Sequence, residues 1–341
     1  MTKYSEDSSA ANPPESRLVD HFGRVIKYVR LSVTDKCNLR CFYCLPKGFD
    51  AFKQEEGQLT FDEIERVIRA FAELGVRLVR ITGGEPLLRE NLVQLAEKLS
   101  SLPGVDELSV STNATLLSKY AEDLKSAGIS RINVSLDTLN PERFREISGG
   151  RLESVLDGLM AAKSAGFSPI KVNIVALKGI NDDEFVDMVE FCLKHGFTLR
   201  FIETMPIGNA CRHPSNLYLN LQEVKIKLLK HFNLVETAMP GGGGPARYFK
   251  VENTEMSIGF INPISQHFCE TCNRVRLSAN GTLYLCLGQQ NSYDLLPILR
   301  QGVSDDGLKE AIFEALKRKP KHHEFGEDHG RITRFMSTTG G

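Results

Sequence analysis

A chain of 341 residues, 41% of them apolar and 25% charged, has the composition of a globular protein large enough for one large domain or a domain plus an extension. Its net charge of −1 excludes a global basic field for nucleic acid or an acidic membrane, so any anion site must be local. No apolar run reaches the roughly eighteen residues of a membrane span. The polar, Pro/Ser-rich N-terminus lacks an apolar signal region, which predicts a cytoplasmic protein with a disordered leader over residues 1–18.

Taken in chain order, the first strand is expected over 28–33 (YVRLSV), and it runs into a loop carrying Cys37, Cys41 and Cys44. An amphipathic helix follows over 61–74, with Thr60 as N-cap, Glu63 completing a capping box and Gly75 ending it. The second strand, 78–82, leads into Thr82-Gly83-Gly84-Glu85-Pro86. Further strands are expected over 107–112, 131–136, 170–176 and 199–203, and helices over 116–127, 151–165 and 182–195. Each of these helices is followed by a glycine (Gly128, Gly166, Gly196).

Repeated strand–helix–Gly–strand units imply a parallel sheet with right-handed crossovers. Six strands are too few for a closed eight-stranded barrel, so the expected fold is α/β, a partial (β/α)6 TIM-type barrel over residues 19–206. After residue 206 the pattern changes. A Pro/Gly loop (240–245) precedes alternating runs at 248–251 and 256–260, and a hairpin then turns at Asn280-Gly281. Helical stretches near 293–300 and 306–318 complete a C-terminal α+β extension over 207–335, placed to cover the open side of the barrel. Residues 336–341 (MSTTGG) have no apolar pattern and read as a flexible tail.

Six of the eight cysteines fall in two trios, Cys37/Cys41/Cys44 and Cys269/Cys272/Cys286. In a chain that is neither small nor secreted, such clustering favours metal over disulfides. Zinc wants four ligands and would have to borrow Cys211 or His267, whereas three thiolates hold a [4Fe–4S] cube and leave one iron open. Arg274 and Arg276 follow the second trio at i and i+2, so on a strand they point to one side and can converge on one anion. Arg30, Arg80 and Lys171 add charge near the same strand ends, reading together as a polyphosphate pocket. Cys192 sits on an amphipathic helix as a core thiol. Cys211 has no assigned role, and His322, His323 and His329 read as a solvated segment.

CNLRCFYC after the first strand and GGEP after the second resemble the radical S-adenosylmethionine (SAM) superfamily. The resemblance implies a cluster on Cys37, Cys41 and Cys44 whose open iron binds SAM, with Tyr43, Gly84, Glu85, Ser135 and Met205 around the SAM molecule. Two trios at this spacing, CNRVRLS and a terminal Gly-Gly are similar to the GTP 3′,8-cyclase family of molybdenum cofactor biosynthesis, from about residue 23 to the end.

That similarity implies a lyase with a second [4Fe–4S] cluster on Cys269, Cys272 and Cys286. GTP would be held by Arg30, Arg80, Ser111, Lys171, Arg274, Val275 and Arg276, and Gly340 and Gly341 would reach the active site. A 5′-deoxyadenosyl radical would take H3′ of GTP, and C3′ would then attack C8 to give 3′,8-cyclo-7,8-dihydro-GTP. The implied partners are a reductant such as flavodoxin or ferredoxin and a downstream cyclic pyranopterin monophosphate synthase, with a homodimer left open.

Two departures stand out. Ser111-Thr112-Asn113-Ala114 replaces the family's usual Thr-Thr-Asn-Gly, so alanine stands where glycine would take a positive φ, and the tail reads TTGG without a preceding apolar residue. Another reading keeps the radical SAM core but acts on a peptide. It would leave the paired arginines idle and usually needs more than three auxiliary cysteines. A zinc-binding interaction protein would need a basic surface with aromatic platforms, and this chain has no tryptophan.

Overall fold

The computed structural model describes residues 17–45, 57–207, 217–238, 244–325 and 334–340. Six strands follow one another across a sheet in chain order, all parallel: β1 (Tyr28–Ser32), β2 (Leu78–Thr82), β3 (Glu107–Thr112), β4 (Arg131–Ser135), β5 (Ile170–Ala176) and β6 (Thr198–Glu203). The crossovers carry α1 (Phe61–Glu73), α2 (Leu92–Ser100), α3 (Leu117–Ser126), the pair α4 (Pro141–Ser148) and α5 (Leu152–Ser164), and α6 (Phe185–His195).

A doubly wound sheet reverses its strand order at a switch point, and this one never does. Crossovers of one hand therefore put every helix on one face, and the sheet curls into a partial barrel. The α1 start is the expected capping box, with Glu63 N–H donating to Thr60 Oγ1 at 3.1 Å and Thr60 N–H to Glu63 Oε2 at 2.8 Å. Packed structure begins slightly earlier than the expected leader boundary: Leu18 is buried and its N–H donates to Leu74 O at 2.9 Å.

The C-terminal region contributes α7 (Leu221–Leu229), β7 (Leu234–Thr237), β8 (Arg247–Val251), β9 (Ser257–Ile261), β10 (Arg274–Leu277), β11 (Thr282–Tyr284) and β12 (Ser292–Asp294). It ends in α8 (Leu296–Arg300), α9 (Asp305–Leu316) and the single turn α10 (Met336–Thr339). Among the described residues all twelve strands form one sheet, in the order β12-β11-β10-β1-β2-β3-β4-β5-β6-β9-β8-β7. The extension thus continues the barrel sheet from both edges, with β10 parallel to β1 and β9 parallel to β6.

Residues 293–294, expected as the start of a helix, lie in β12 and pair with β11 instead. The helix begins only after Asp294, whose Oδ1 accepts the Leu296 N–H at 3.1 Å, with Pro297 in the first turn. No helix among the described residues is long and apolar enough to cross a membrane.

The two faces of the barrel strands differ sharply. Val29, Leu31, Val79, Ile81, Val110, Ile132, Val134, Val172, Ile174 and Phe201 point outward into one apolar core shared with the helices. The alternate positions include Arg30, Ser32, Arg80, Thr82, Ser109, Asn133, Lys171 and Arg200, and nearly all are buried. An ordinary (β/α) barrel fills its interior with branched aliphatics. A polar interior is a poor core and a good binding chamber.

Candidate active site

The cysteine loop after β1 is held against the β2 turn by backbone alone. Gly84 N–H donates to Thr34 O at 2.8 Å and Glu85 N–H to Lys36 O at 2.7 Å. A Cβ on Gly84 would stand 2.3 Å from Lys36 O and 2.5 Å from Asp35 O, and one on Gly83 would stand 2.5 Å from Thr34 O. The glycines were expected to admit a ligand; the close approach they permit here is that of the cysteine loop itself.

Glu85, also expected at the ligand, is wholly buried. Its carboxylate accepts from Leu87 N–H (3.0 Å), Thr112 Oγ1 (2.7 Å) and Asn113 N–H (2.7 Å), and burial raises its carboxyl to about 7. Asn113 Nδ2 in turn lies 3.9 Å from Cys37 Sγ, and Leu39 N–H donates to the same sulfur at 3.5 Å. Tyr43 donates its hydroxyl proton to Asp137 Oδ2 at 2.6 Å, pinning the cysteine loop to the end of β4; burial raises Asp137 to about 6. Ala114 does adopt the left-handed backbone, at φ 61°, fully buried, at a cost of about 1–2 kcal/mol relative to glycine's freedom.

Parallel pairing lines up the cations. Arg276, Arg30 and Arg80 are register partners across β10, β1 and β2, and the row continues through Ser109 to Arg131. A second row runs from Ser111 through Asn133 to Lys171. Arg200, on β6, donates from Nε to Asn173 Oδ1 (2.8 Å) and from Nη2 to Asn133 Oδ1 (2.6 Å). Arg80 and Arg274 both lie over the Tyr28 ring, at 5.3 and 5.9 Å.

Burial, with neighbouring cations adding to it, lowers Arg30 well below the usual guanidinium range; those neighbours are Arg276, Arg80 and Arg274. Burial likewise brings Arg276 and Arg200 to about 10 and Lys171 to about 7, the last pushed further by Arg200, Arg131 and Arg80. Tyr28 Oη, Arg30 Nε, Thr82 Oγ1 and Arg131 Nε are buried without hydrogen-bond partners. Such crowding of donors is stable only if an anion joins it. Val275 points the other way, into the apolar core, so only its backbone can serve the chamber.

The second trio lies beside β10 and after β11. Cys269 is buried, and Cys272 N–H donates to Cys269 O at 3.1 Å. All six trio cysteines are free thiols. Burial raises Cys41 and Cys269, with the other sulfurs of each trio adding to it, whereas at Cys272 burial is outweighed by Lys319 and Arg274, which lower it. Among the described residues, no three His, Cys, Asp or Glu side chains are gathered to hold a single metal ion. The N–H groups aimed at sulfur in the first trio favour thiolate ligands. Cys211, the alternative zinc ligand, lies outside the described residues.

The tail joins the parts. Arg334 Nη2 donates to Cys286 O (2.8 Å), Leu287 O (2.7 Å) and Gln289 O (2.5 Å), and the Ser337 N–H bonds to Cys44 Sγ. Arg276 Nη1 donates to Gly340 O at 2.5 Å. Ser337 and Thr339 are buried, so the tail is a folded strap inside the chamber rather than a free end; Gly341 lies outside the described residues. Met205, half-buried, packs with Ile207, Phe325 and Met336, while Ser135 stands exposed at the end of β4.

The family model described as Radical SAM superfamily matches residues 31–192, and that described as Molybdenum Cofactor Synthesis C matches residues 197–325. A GTP 3′,8-cyclase of Hydrogenovibrio crunogenus is 46% identical over 95% of this chain and 99% of its own length. One from Marinobacter nauticus is 44% identical over 96% and 100%. The chain belongs to the GTP 3′,8-cyclase family.

Among solved structures, Streptococcus suis SuiB bound to precursor peptide SuiA aligns with a TM-score of 0.59 at 15% identity, covering 91% of this chain and 67% of that one. It shares the fold alone. A radical SAM family member carries SAM and a [4Fe–4S] cluster, and the first trio, with its sulfur-directed N–H groups, fits that group. Arg131, Arg200 and Arg334 are chamber residues that the sequence reading of this cyclase family member did not single out. For the first two the signal was present: each sits at a polar position of a strand alternating with apolar residues.

Proposed function

We propose that the barrel chamber holds GTP between two [4Fe–4S] clusters and converts it to 3′,8-cyclo-7,8-dihydro-GTP, the first step of molybdenum cofactor biosynthesis. The observation that carries this reading is the row Arg276–Arg30–Arg80, its outer members buried and Arg30 half-buried, reinforced by Arg274 and Lys171, on a chain of net charge −1. Among the described residues none of the three row arginines forms an ion pair with a carboxylate, the nearby Glu107 pairing with Arg131, and a triphosphate supplies the missing charge. When bound at Cys37, Cys41 and Cys44, the cluster and SAM supply, on one-electron reduction, the 5′-deoxyadenosyl radical that removes H3′.

The chain's own residues bind, orient and exclude water. Arg30, Arg274 and Arg276 grip phosphate, Arg80 and Ser111 face the nucleotide, and Arg200, fixed by Asn133 and Asn173, adds charge from the opposite strand. Tyr43, Gly84, Ser135 and Met205 surround SAM, and Glu85 contributes by fixing the turn, since its carboxylate is already engaged. Cys269, Cys272 and Cys286 hold the second cluster, whose open iron would take a guanine donor atom. Gly340 lines the chamber from the tail, and Gly340 and Gly341 serve the reaction there. A flavodoxin or ferredoxin would supply the electron, and a cyclic pyranopterin monophosphate synthase would take the product.

Anaerobic reconstitution tests both clusters at once, with about eight irons and eight sulfides expected per chain. Colourless protein holding one or two zinc ions would overturn the reading. Arg274→Ala and Arg276→Ala should each weaken GTP binding by about 10- to 100-fold, since a charge-assisted hydrogen bond contributes about 1.5–3 kcal/mol. Iron content and SAM cleavage should hold. Normal GTP affinity in both variants would remove the polyphosphate assignment.

Lys171 gives the binding a pH signature. Its amine, lowered to about 7, is largely neutral at about pH 8, and an adjacent triphosphate favours the ammonium form. Affinity is therefore full below about pH 7 and falls as pH rises above it, by at most about tenfold per pH unit. Calorimetry at about pH 8 in buffers of different ionisation enthalpy should show uptake of up to about one proton per GTP, lost in Lys171→Met. Equal uptake by the variant would exclude Lys171 as the source. Without ligand the sign reverses: the folded state holds fewer protons than the unfolded chain between about pH 7 and 10.5, so stability rises with pH across that window.

A further inference from the structure

We propose that Lys319 is the positioning and charge-compensating residue of the second cysteine trio, an inference that rests on that trio's holding a cluster. Lys319 follows α9 and is 2% exposed. Its Nζ donates to Arg274 O at 2.9 Å and Leu285 O at 2.5 Å, and stands 3.8 Å from Cys272 Sγ. Arg274 lies two residues after Cys272, and Leu285 immediately precedes Cys286. One ammonium therefore ties together the two chain segments that carry those ligands.

The third ligand is held from the same segment. Arg24 Nη1 donates to Cys269 O (2.9 Å) and Lys321 O (2.8 Å), Nη2 donates to Pro320 O (2.7 Å), and Nε pairs with Asp20 Oδ2 at 2.6 Å. Residues 319–321 are thus tied to all three cysteine segments, to two directly by Lys319 and to the third through Arg24. The charges on this clasp are unequal. Arg24 is neutralised by Asp20, while Lys319 pairs with no carboxylate among the described residues; its partners are two carbonyls and a thiol.

A buried ammonium without a counter-ion is costly. Three cysteine thiolates around an iron–sulfur core supply one, and reduction makes that core more negative. An ammonium at van der Waals distance from a ligand sulfur favours both the loaded site and its reduced form. Carbonyl bonds alone would need only a donor of the right length. The position beside sulfur, with no carboxylate, is what assigns the charge itself a role.

The test uses the full chain with Cys37, Cys41 and Cys44 changed to alanine, so that only the second trio can load. About four irons per chain in this parent support the reading of the trio, and none would remove that reading whatever Lys319 does. In the parent, Lys319→Met should release iron to a chelator faster. Its reduced-to-oxidised ratio at a fixed potential should fall about tenfold, which is a midpoint about 59 mV more negative for one electron.

Lys319→Arg, which keeps the charge, should restore most of the shift. A Lys319→Met protein with the parent's potential would overturn the proposal, as would equal shifts in both variants, which would mean that shape alone matters. Should Lys319→Met not fold, Lys319→Arg decides: a parent-like potential supports the charge role, and a shifted one overturns it.

Discussion

Gly84→Ala is expected to strip the first cysteine trio of iron while leaving the second trio and most of the barrel in place. The added Cβ would lie 2.3 Å from Lys36 O and 2.5 Å from Asp35 O, and both obstacles are backbone, which cannot rotate aside as a long side chain can. Either the turn or the cysteine loop must retreat. That breaks the Gly84–Thr34 and Glu85–Lys36 bonds and moves Lys36, the residue before Cys37.

Overpacking of this kind costs about 1–3 kcal/mol, and each lost hydrogen bond about 1 more. The strain falls on a loop rather than the core, so the loss should be local. Anaerobic reconstitution should show iron and sulfide dropping from about eight to about four per chain, with SAM cleavage abolished. Full loading with normal SAM cleavage would mean that the two turns are not held at this distance in the working enzyme.

The contrast between what this turn suggests in sequence and what it does in the fold is general here. Features set by nearby residues were legible: the six strands, the capping box at Thr60, both cysteine trios, and the i, i+2 pair Arg274 and Arg276 all follow from local periodicity and spacing. Besides α7 and the single turn α10 of the extension, two helices of the barrel were missed, both for local reasons. The start of α2 at Asn91 has no side-chain cap, and α4 spans only eight residues, although Asn140-Pro141 is a proper start signal.

What the sequence could not show is registration between distant segments. Nothing local says that β10 pairs with β1 so that Arg276 meets Arg30, or that a clasp at 319–321 reaches the second trio. The polar interior lay between these cases. Strands buried on both faces usually read as unbroken apolar runs, so the alternation in YVRLSV, RINVSL and IKVNIVA was already a sign that the barrel's inner face is not a core.

Gly340→Ala should cut cyclisation on the order of 100-fold while iron content and global stability stay near those of the parent protein. Gly340 has φ 73°, and a Cβ there would stand 1.9 Å from Thr82 Oγ1 and 3.2 Å from Thr82 Cβ. Left-handed backbone alone costs alanine about 1–2 kcal/mol, and the contact with the end of β2 adds to it. Against this, the strap beyond the Arg334 anchor is held by a single helical turn, the Ser337–Cys44 and Arg276–Gly340 hydrogen bonds, and Met336 packing.

A penalty of that size exceeds what so few contacts can resist, so the tail should leave the chamber and the barrel should not notice. Arg276 would lose its carbonyl partner, and the chamber would open to water on that side. SAM cleavage should persist without coupled product, a separation that reduced fold stability would not produce. The double variant Thr82→Ala/Gly340→Ala removes the clash but keeps the φ strain. Partial recovery assigns the loss mainly to contact with Thr82, no recovery assigns it to the backbone, and full turnover by Gly340→Ala alone would exclude the strap from the reaction.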